Sequence, residues 1–105
     1  MSYRVELSAR AEADVKEAYA YIREHGPANP DDWKSGLEKK LASLEIMPQR
    51  FGLAPESNFA NVPIHQTFYA NFRILFTVGE LCVYVVTIRH GARQFLRRED
   101  LRDLP

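Results

Sequence analysis

The side chains that could do chemistry lie in the last third of the chain. Arg73 carries a planar guanidinium that could bind a phosphate, or it could pair with Glu80 or with a carboxylate of a partner. His90 could act as a general base only with a pKa near the working pH and a nucleophile within reach. The sequence supplies neither, which favours a capping or surface histidine. The spacing alone therefore assigns no catalytic residue.

A basic stretch begins at Arg89, beside His90. If a target or partner is acidic, its arginines are the natural electrostatic contacts. The alternative, which the sequence favours over nucleic-acid binding, is a solvated helix face balanced by Glu99, Asp100 and Asp103. The target-binding candidates are Arg89, Arg93, Arg97 and Arg98.

Other kinds of site lack their signatures. His25 and His65 have no cysteine or carboxylate at the spacing of a metal site. Cys82 is the only cysteine, which excludes an intrachain disulfide and a cysteine-based metal cluster. No glycine-rich phosphate loop and no paired acids are found. We expect no cofactor and no metal.

Composition indicates a single globular domain over residues 1–105. Apolar residues make up 46% and charged residues 27% of the chain. The 14 basic and 14 acidic residues cancel, which excludes a strongly basic nucleic-acid coat. The first residues lack the apolar run of a secretory signal, and no apolar segment reaches membrane-spanning length. We expect a soluble cytoplasmic protein.

Two helices and four strands must position these side chains. Apolar residues at helical spacing predict a helix over residues 9–25 after an N-cap at Ser8. A second helix is predicted over residues 30–48 after an N-cap at Asn29. Residues 48–63, rich in Pro, Gly and Asn, are predicted to form a loop. The strands are predicted at residues 3–7, 64–68, 72–78 and 81–90.

The order of these elements is one strand, two helices and three strands. Because a short connection joins the helices, they form an antiparallel hairpin. We predict an α+β fold in which this helical hairpin packs on one face of a small, mainly antiparallel β-sheet.

A two-residue turn at Gly79 and Glu80 would set the register of the last two strands. That register pairs Phe76 with Val83 on the face that the helices cover, and it leaves the other face half apolar. Either residues 48–63 or the C-terminal tail covers this second face, or a partner does. The residues predicted to bind that partner are Arg73, Leu75, Tyr84, Val86 and Ile88.

The order of elements and three segments resemble the RelE/ParE toxin superfamily of bacterial type II toxin–antitoxin modules. The segments are LASLEIMPQRFG (41–52), NFRILF (71–76) and IRHGAR (88–93). The resemblance covers nearly the whole chain. It implies a small toxin in a hetero-oligomer with a cognate antitoxin, whose acidic or amphipathic C-terminal segment wraps the toxin and covers its apolar surface.

The resemblance leaves two main functions open. ParE-like members inhibit DNA gyrase by binding. RelE-like members are ribosome-dependent mRNA endoribonucleases, which would place Arg73, His90 and Arg93 at the phosphate. A third possibility is an inactive member that only binds its antitoxin.

Three departures from the RelE-like pattern favour the ParE-like branch. No tyrosine follows the segment HGAR, since residues 94–105 read QFLRREDLRDLP. Residues 48–65 contain no lysine and only one basic side chain, Arg50. Zero net charge is unfavourable for engaging the ribosome. We therefore expect a gyrase inhibitor, with the ribosome as the alternative target.

Overall fold

The computed structural model describes residues 2–26 and 28–90. Within them, both predicted helices begin where their caps indicate. Helix α1 spans Ala9–His25, and the Ser8 hydroxyl accepts a hydrogen bond from the backbone N–H of Ala11. Helix α2 spans Pro30–Ala42, and the side chain of Asn29 accepts from the backbone N–H groups of Asp31 and Asp32. The predicted helical hairpin is confirmed.

Helix α2 ends earlier than predicted. A 3₁₀ turn over Ser43–Glu45 replaces its last turn, and the Ser43 hydroxyl donates a hydrogen bond to the carbonyl of Lys40 at 2.6 Å. Met47 then has a left-handed backbone with φ 45°, which no α-helix accommodates. The predicted continuation to residue 48 is therefore wrong, although Leu44 is buried as its spacing required.

The strands are β1 (Arg4–Leu7), β2 (His65–Tyr69), β3 (Phe72–Val78) and β4 (Cys82–His90). They form a four-stranded sheet in the order β1-β4-β3-β2. Strand β1 is parallel to β4, and the other two pairings are antiparallel. The α+β fold, with a helical hairpin on a mainly antiparallel sheet, is confirmed.

The main core lies between the helices and the sheet face that they cover, here called the helix face. Leu37 from α2, Phe76 from β3 and Val85 from β4 are almost completely buried in it. Trp33 packs against the ring of Phe72, with ring centroids 5.4 Å apart.

The register predicted for β3 and β4 is wrong. Gly79 does not adopt the positive φ that a two-residue turn with a leading glycine requires, and Val78 pairs with Val83 instead of Leu81. A bulge follows, since Phe76 pairs with Val85 but Leu75 pairs with Thr87. The extra residue is Val86, and it shifts the alternation of every later residue in β4.

The predicted faces change accordingly. Ile88, predicted on the second face, is 3% exposed and belongs to the core of the helix face. Thr87 pairs with Leu75 of the second face. Its hydroxyl nevertheless donates a hydrogen bond to the Asp14 carboxylate of α1.

Candidate functional site

The second face of the sheet, opposite the helices, has two halves with different surroundings. Strands β2 and β3 place Gln66, Arg73 and Leu75 on one half. Strands β1 and β4, with the end of β3, place Glu6, Thr77 and Tyr84 on the other. Because side chains alternate along each strand, these residues all point away from the helical hairpin.

The first half is covered by residues 54–60, here called the cover segment, which contains a short 3₁₀ helix. Leu75 is 0% exposed and forms a small core with Ala54 and Ile64. The backbone N–H of Ala54 donates to the carbonyl of Ile64 at 2.7 Å. The N–H of Ile64 donates to the Ser57 hydroxyl at 3.0 Å. The part of this half beneath the cover segment therefore belongs to the interior, and we call the half the sealed half.

A buried ion pair holds the cover segment to the sheet. The two terminal nitrogens of Arg73 donate to the two carboxylate oxygens of Glu56 at 3.0 and 2.8 Å. A further hydrogen bond joins Arg73 Nη2 to Gln66 Oε1 at 3.0 Å. Arg73 is 5% exposed and Glu56 is 0% exposed. The structure thus pairs Arg73 with Glu56, whereas the sequence suggested Glu80 or a carboxylate of a partner.

The alternative in which a partner covers the second face is therefore wrong for the sealed half. The alternative, in which residues 48–63 cover it, is correct there. A bidentate ion pair matches the planar geometry of the guanidinium and neutralises its charge. Arg73 as it stands has no surface to offer a phosphate.

The second half, the open half, contains a cleft of about 670 Å³. Tyr84 lies partly exposed along it, between Glu6 of β1 and Thr77 of β3. Val62 and Pro63, just beyond the cover segment, form the opposite wall. An apolar cleft with an aromatic side chain and a few polar groups can bind a peptide side chain.

Cys82 lies at the same cleft. Its thiol donates to Glu6 Oε2 at 3.4 Å. Burial, and secondly the hydrogen bond and negative charge of Glu6, raise the pKa of the Cys82 thiol above its ordinary value. A neutral thiol is a poor nucleophile, so Cys82 contributes packing to the cleft instead of reactivity.

The five residues predicted to bind an antitoxin do not share one surface. Arg73 and Leu75 lie beneath the cover segment, Ile88 lies in the main core, and Val86 is buried at the bulge. Among these five, Tyr84 alone has a partly exposed side chain. Its role in binding stays a prediction, and the other four require the chain to open first.

The residues predicted to act on a phosphate are also separated. Arg73 pairs with Arg89 on the second face, whereas His90 pairs with Phe72 on the helix face. The rings of His90 and Phe72 meet edge to face at 5.4 Å. Arg89 is half-buried, and its Nε has no hydrogen-bond partner among the described residues. Arg93, Arg97 and Arg98 lie outside the described residues.

Sequence reasoning missed Glu56 and Asp14. Glu56 is the only acidic residue between Glu45 and Glu80, but it lies 17 positions before Arg73, and no local spacing links the two residues. Asp14 follows the buried Ala11 by three positions and precedes the buried Ala18 by four, which places it on the inward side of α1. This spacing is visible in the sequence, and it predicts that the Asp14 carboxylate faces the sheet.

Neither a metal centre nor a membrane span is found in the part of the chain that the structure describes. Over residues 2–26 and 28–90, no three metal-ligating side chains lie together. No helix within these ranges is both long and apolar enough to cross a bilayer.

Three comparisons with known proteins bear on this chain. A family model described as "ParE toxin of type II toxin-antitoxin system, parDE" matches residues 5–95. A search of curated protein sequences gave no match.

Two solved structures have a similar fold. One is the chromosomal ParDE toxin–antitoxin system from P. aeruginosa, with a TM-score of 0.64 and 16% identity over 85% of this chain and 96% of that chain. The other is the toxin–antitoxin complex RelBE2 from Mycobacterium tuberculosis, with a TM-score of 0.60 and 16% identity over 86% and 99% of the two chains. At this identity the similarity concerns the fold.

Proposed function

Since the family model spans residues 5–95, the chain belongs to the ParE toxin family of type II toxin–antitoxin systems, and we propose that it disables its target by binding to it. The proposed target is DNA gyrase, as the ParE-like branch implies. The proposed inhibitor is an antitoxin made together with the toxin.

One observation carries the choice of binding over RNA cleavage. The guanidinium that could hold a scissile phosphate is already bound through both terminal nitrogens to Glu56. The candidate base, His90, lies on the other face of the sheet. A general base and a phosphate-binding group must reach the same substrate from one side. Arg73 and His90 do not meet this requirement.

The antitoxin is proposed to bind the cleft of the open half. Tyr84 is its central aromatic side chain, with the apolar Val62, Pro63 and Val78 around it. Aromatic residues at the centre of an interface commonly contribute most of the binding energy. The sealed half requires no partner, because the cover segment already excludes water from Leu75.

Two assays with the purified chain test the proposed target. In a supercoiling assay, the chain should block gyrase, and the antitoxin should restore supercoiling. In a translating-ribosome assay, the mRNA should stay intact. The exposed variant His90→Gln serves as a control and should inhibit gyrase as well as the parent chain does.

Other results would overturn the proposal. Cuts in mRNA that His90→Gln abolishes would assign the ribosome as target. Normal growth when the chain is produced without antitoxin, together with undiminished supercoiling, would identify an inactive member of the family.

A further inference from the structure

A second pocket lies on the opposite side of the molecule from the Tyr84 cleft, between α1 and the ends of β3 and β4. Its volume is about 260 Å³. Ala18, Phe72 and Ile88 give it an apolar floor, and Asp14 and Glu17 give it carboxylates. A pocket of this size admits one side chain but not a helix.

Tyr21 also lines the pocket and is 64% exposed. His90 lies at the same rim. The ring of Tyr21 offers a face on which a planar cation can stack. Among the described residues, the titratable groups that line the pocket are two carboxylates, one phenol and one imidazole.

Asp14 is held in a fixed orientation. Its Oδ2 accepts hydrogen bonds from the Thr87 hydroxyl and from the backbone N–H of Ile88, the latter at 3.0 Å. Its Oδ1 has no hydrogen-bond partner among the described residues. A half-buried carboxylate that is fixed through one oxygen presents the other to a ligand without further loss of side-chain entropy.

We propose that this pocket binds an arginine side chain of the antitoxin. The inference deepens the proposed function and depends on it for the identity of the partner. The guanidinium would bind the Asp14 carboxylate and stack on Tyr21, and the aliphatic part of the side chain would cover Phe72 and Ile88. Arginine fits better than lysine because its planar group can both pair with a carboxylate and stack on a ring.

Charge selects the class of occupant. The Asp14 carboxylate repels phosphate, which disfavours a nucleic acid at this pocket. An acidic antitoxin segment is unfavourable here for the same reason. The amphipathic alternative therefore applies, with a basic residue among apolar ones at the point that meets the pocket.

The experiment titrates the full-length chain with N-acetylarginine amide and follows backbone amide signals by NMR. The matched probe is N-acetylcitrulline amide, which has nearly the same shape and no charge. The signals of Phe72 and Ile88 should shift with the arginine probe, and the citrulline probe should bind at least about tenfold more weakly. Comparable binding of the two probes, or shifts confined to another region, would overturn the proposal.

Two variants localise the charge. Asp14→Asn keeps an oxygen that accepts from Thr87 and Ile88 but removes the negative charge, and it should abolish the preference for arginine over citrulline. Glu12→Gln removes a charge from the exposed surface of the same helix and should keep the preference. A preference that survives Asp14→Asn would contradict the assigned site.

A displacement step identifies the occupant. Adding the antitoxin should release the arginine probe from the pocket. If the probe stays bound, the antitoxin does not use the pocket, whether or not gyrase inhibition is observed. If Arg93→Ala makes the arginine probe bind more tightly, the chain's own arginine competes for the pocket and the assignment to the antitoxin is wrong.

Discussion

The two halves of the second sheet face show how one surface can become core in one place and cleft in another. In the sealed half, the cover segment buries Leu75 and fixes Arg73 with an ion pair to Glu56. In the open half, Val62 and Pro63 line the cleft but do not cover Tyr84, which stays partly exposed. The strands are similar in composition, so the course of one loop decides which residues remain for a partner.

The largest effect is expected from breaking the ion pair. Arg73→Met should lower the free energy of unfolding by about 3–5 kcal/mol, because it leaves the Glu56 carboxylate buried without its counterion. Urea unfolding followed by circular dichroism measures it. The double variant Arg73→Met with Glu56→Leu should recover most of the loss. A single variant as stable as the parent would mean that the ion pair does not hold the cover segment.

The next effect concerns packing under the cover segment. Leu75→Ala should cost about 2–5 kcal/mol of unfolding free energy, because it leaves a cavity beside Ala54 and Ile64. The exposed Leu81→Ala should cost less than about 0.5 kcal/mol in the same unfolding experiment. Equal losses for the two variants would contradict the division into a sealed and an open half.

A third prediction tests the open half. Tyr84→Asp should weaken antitoxin binding by at least about 2 kcal/mol in isothermal titration calorimetry, since it puts a charge into an apolar interface. Phe68→Asp, at an exposed site on the sealed side of the same face, should bind within about 0.5 kcal/mol of the parent. Normal binding by the Tyr84 variant would place the antitoxin elsewhere.

The smallest effect concerns the Cys82 thiol. Because the pKa of the thiol is raised, its thiolate fraction at pH 8 is low. Alkylation by iodoacetamide should therefore be slower than for a cysteine in a short unstructured peptide. Glu6→Gln removes the negative charge, although burial still raises the pKa. The rate should therefore increase about twofold, with the rate profile shifted to lower pH. An unchanged profile would show that Glu6 has no influence on the thiol.

Local signals in the sequence were sufficient to predict the starts of both helices and the fold class. Ser8 and Asn29 cap α1 and α2 as predicted, because a cap depends on residues only two or three positions away. The register between β3 and β4 could not be predicted from such local signals. The bulge at Val86 and the conformation of Gly79 depend on how β4 fits between β1 and β3, and both are tertiary effects.

The candidate site was predicted in part for the same reason. The sequence identified a second face with an arginine among apolar residues, and it left open whether a loop or a partner covers it. Whether a loop or a partner covers this face depends on Glu56, which is distant from Arg73 in the chain and close to it in space. Periodicity locates the residues of a strand on a face, but it carries no information on which distant segment folds over them.

The parallel pairing of β1 with β4 links the first strand to the last one described. During synthesis, residues 4–7 emerge early and have no strand to pair with until residues 82–85 have followed them. A shortened product that stops before β4 lacks the strand that joins β1 to β3, and so it cannot close the sheet. A chain that ends before β4 therefore cannot form the complete four-stranded sheet.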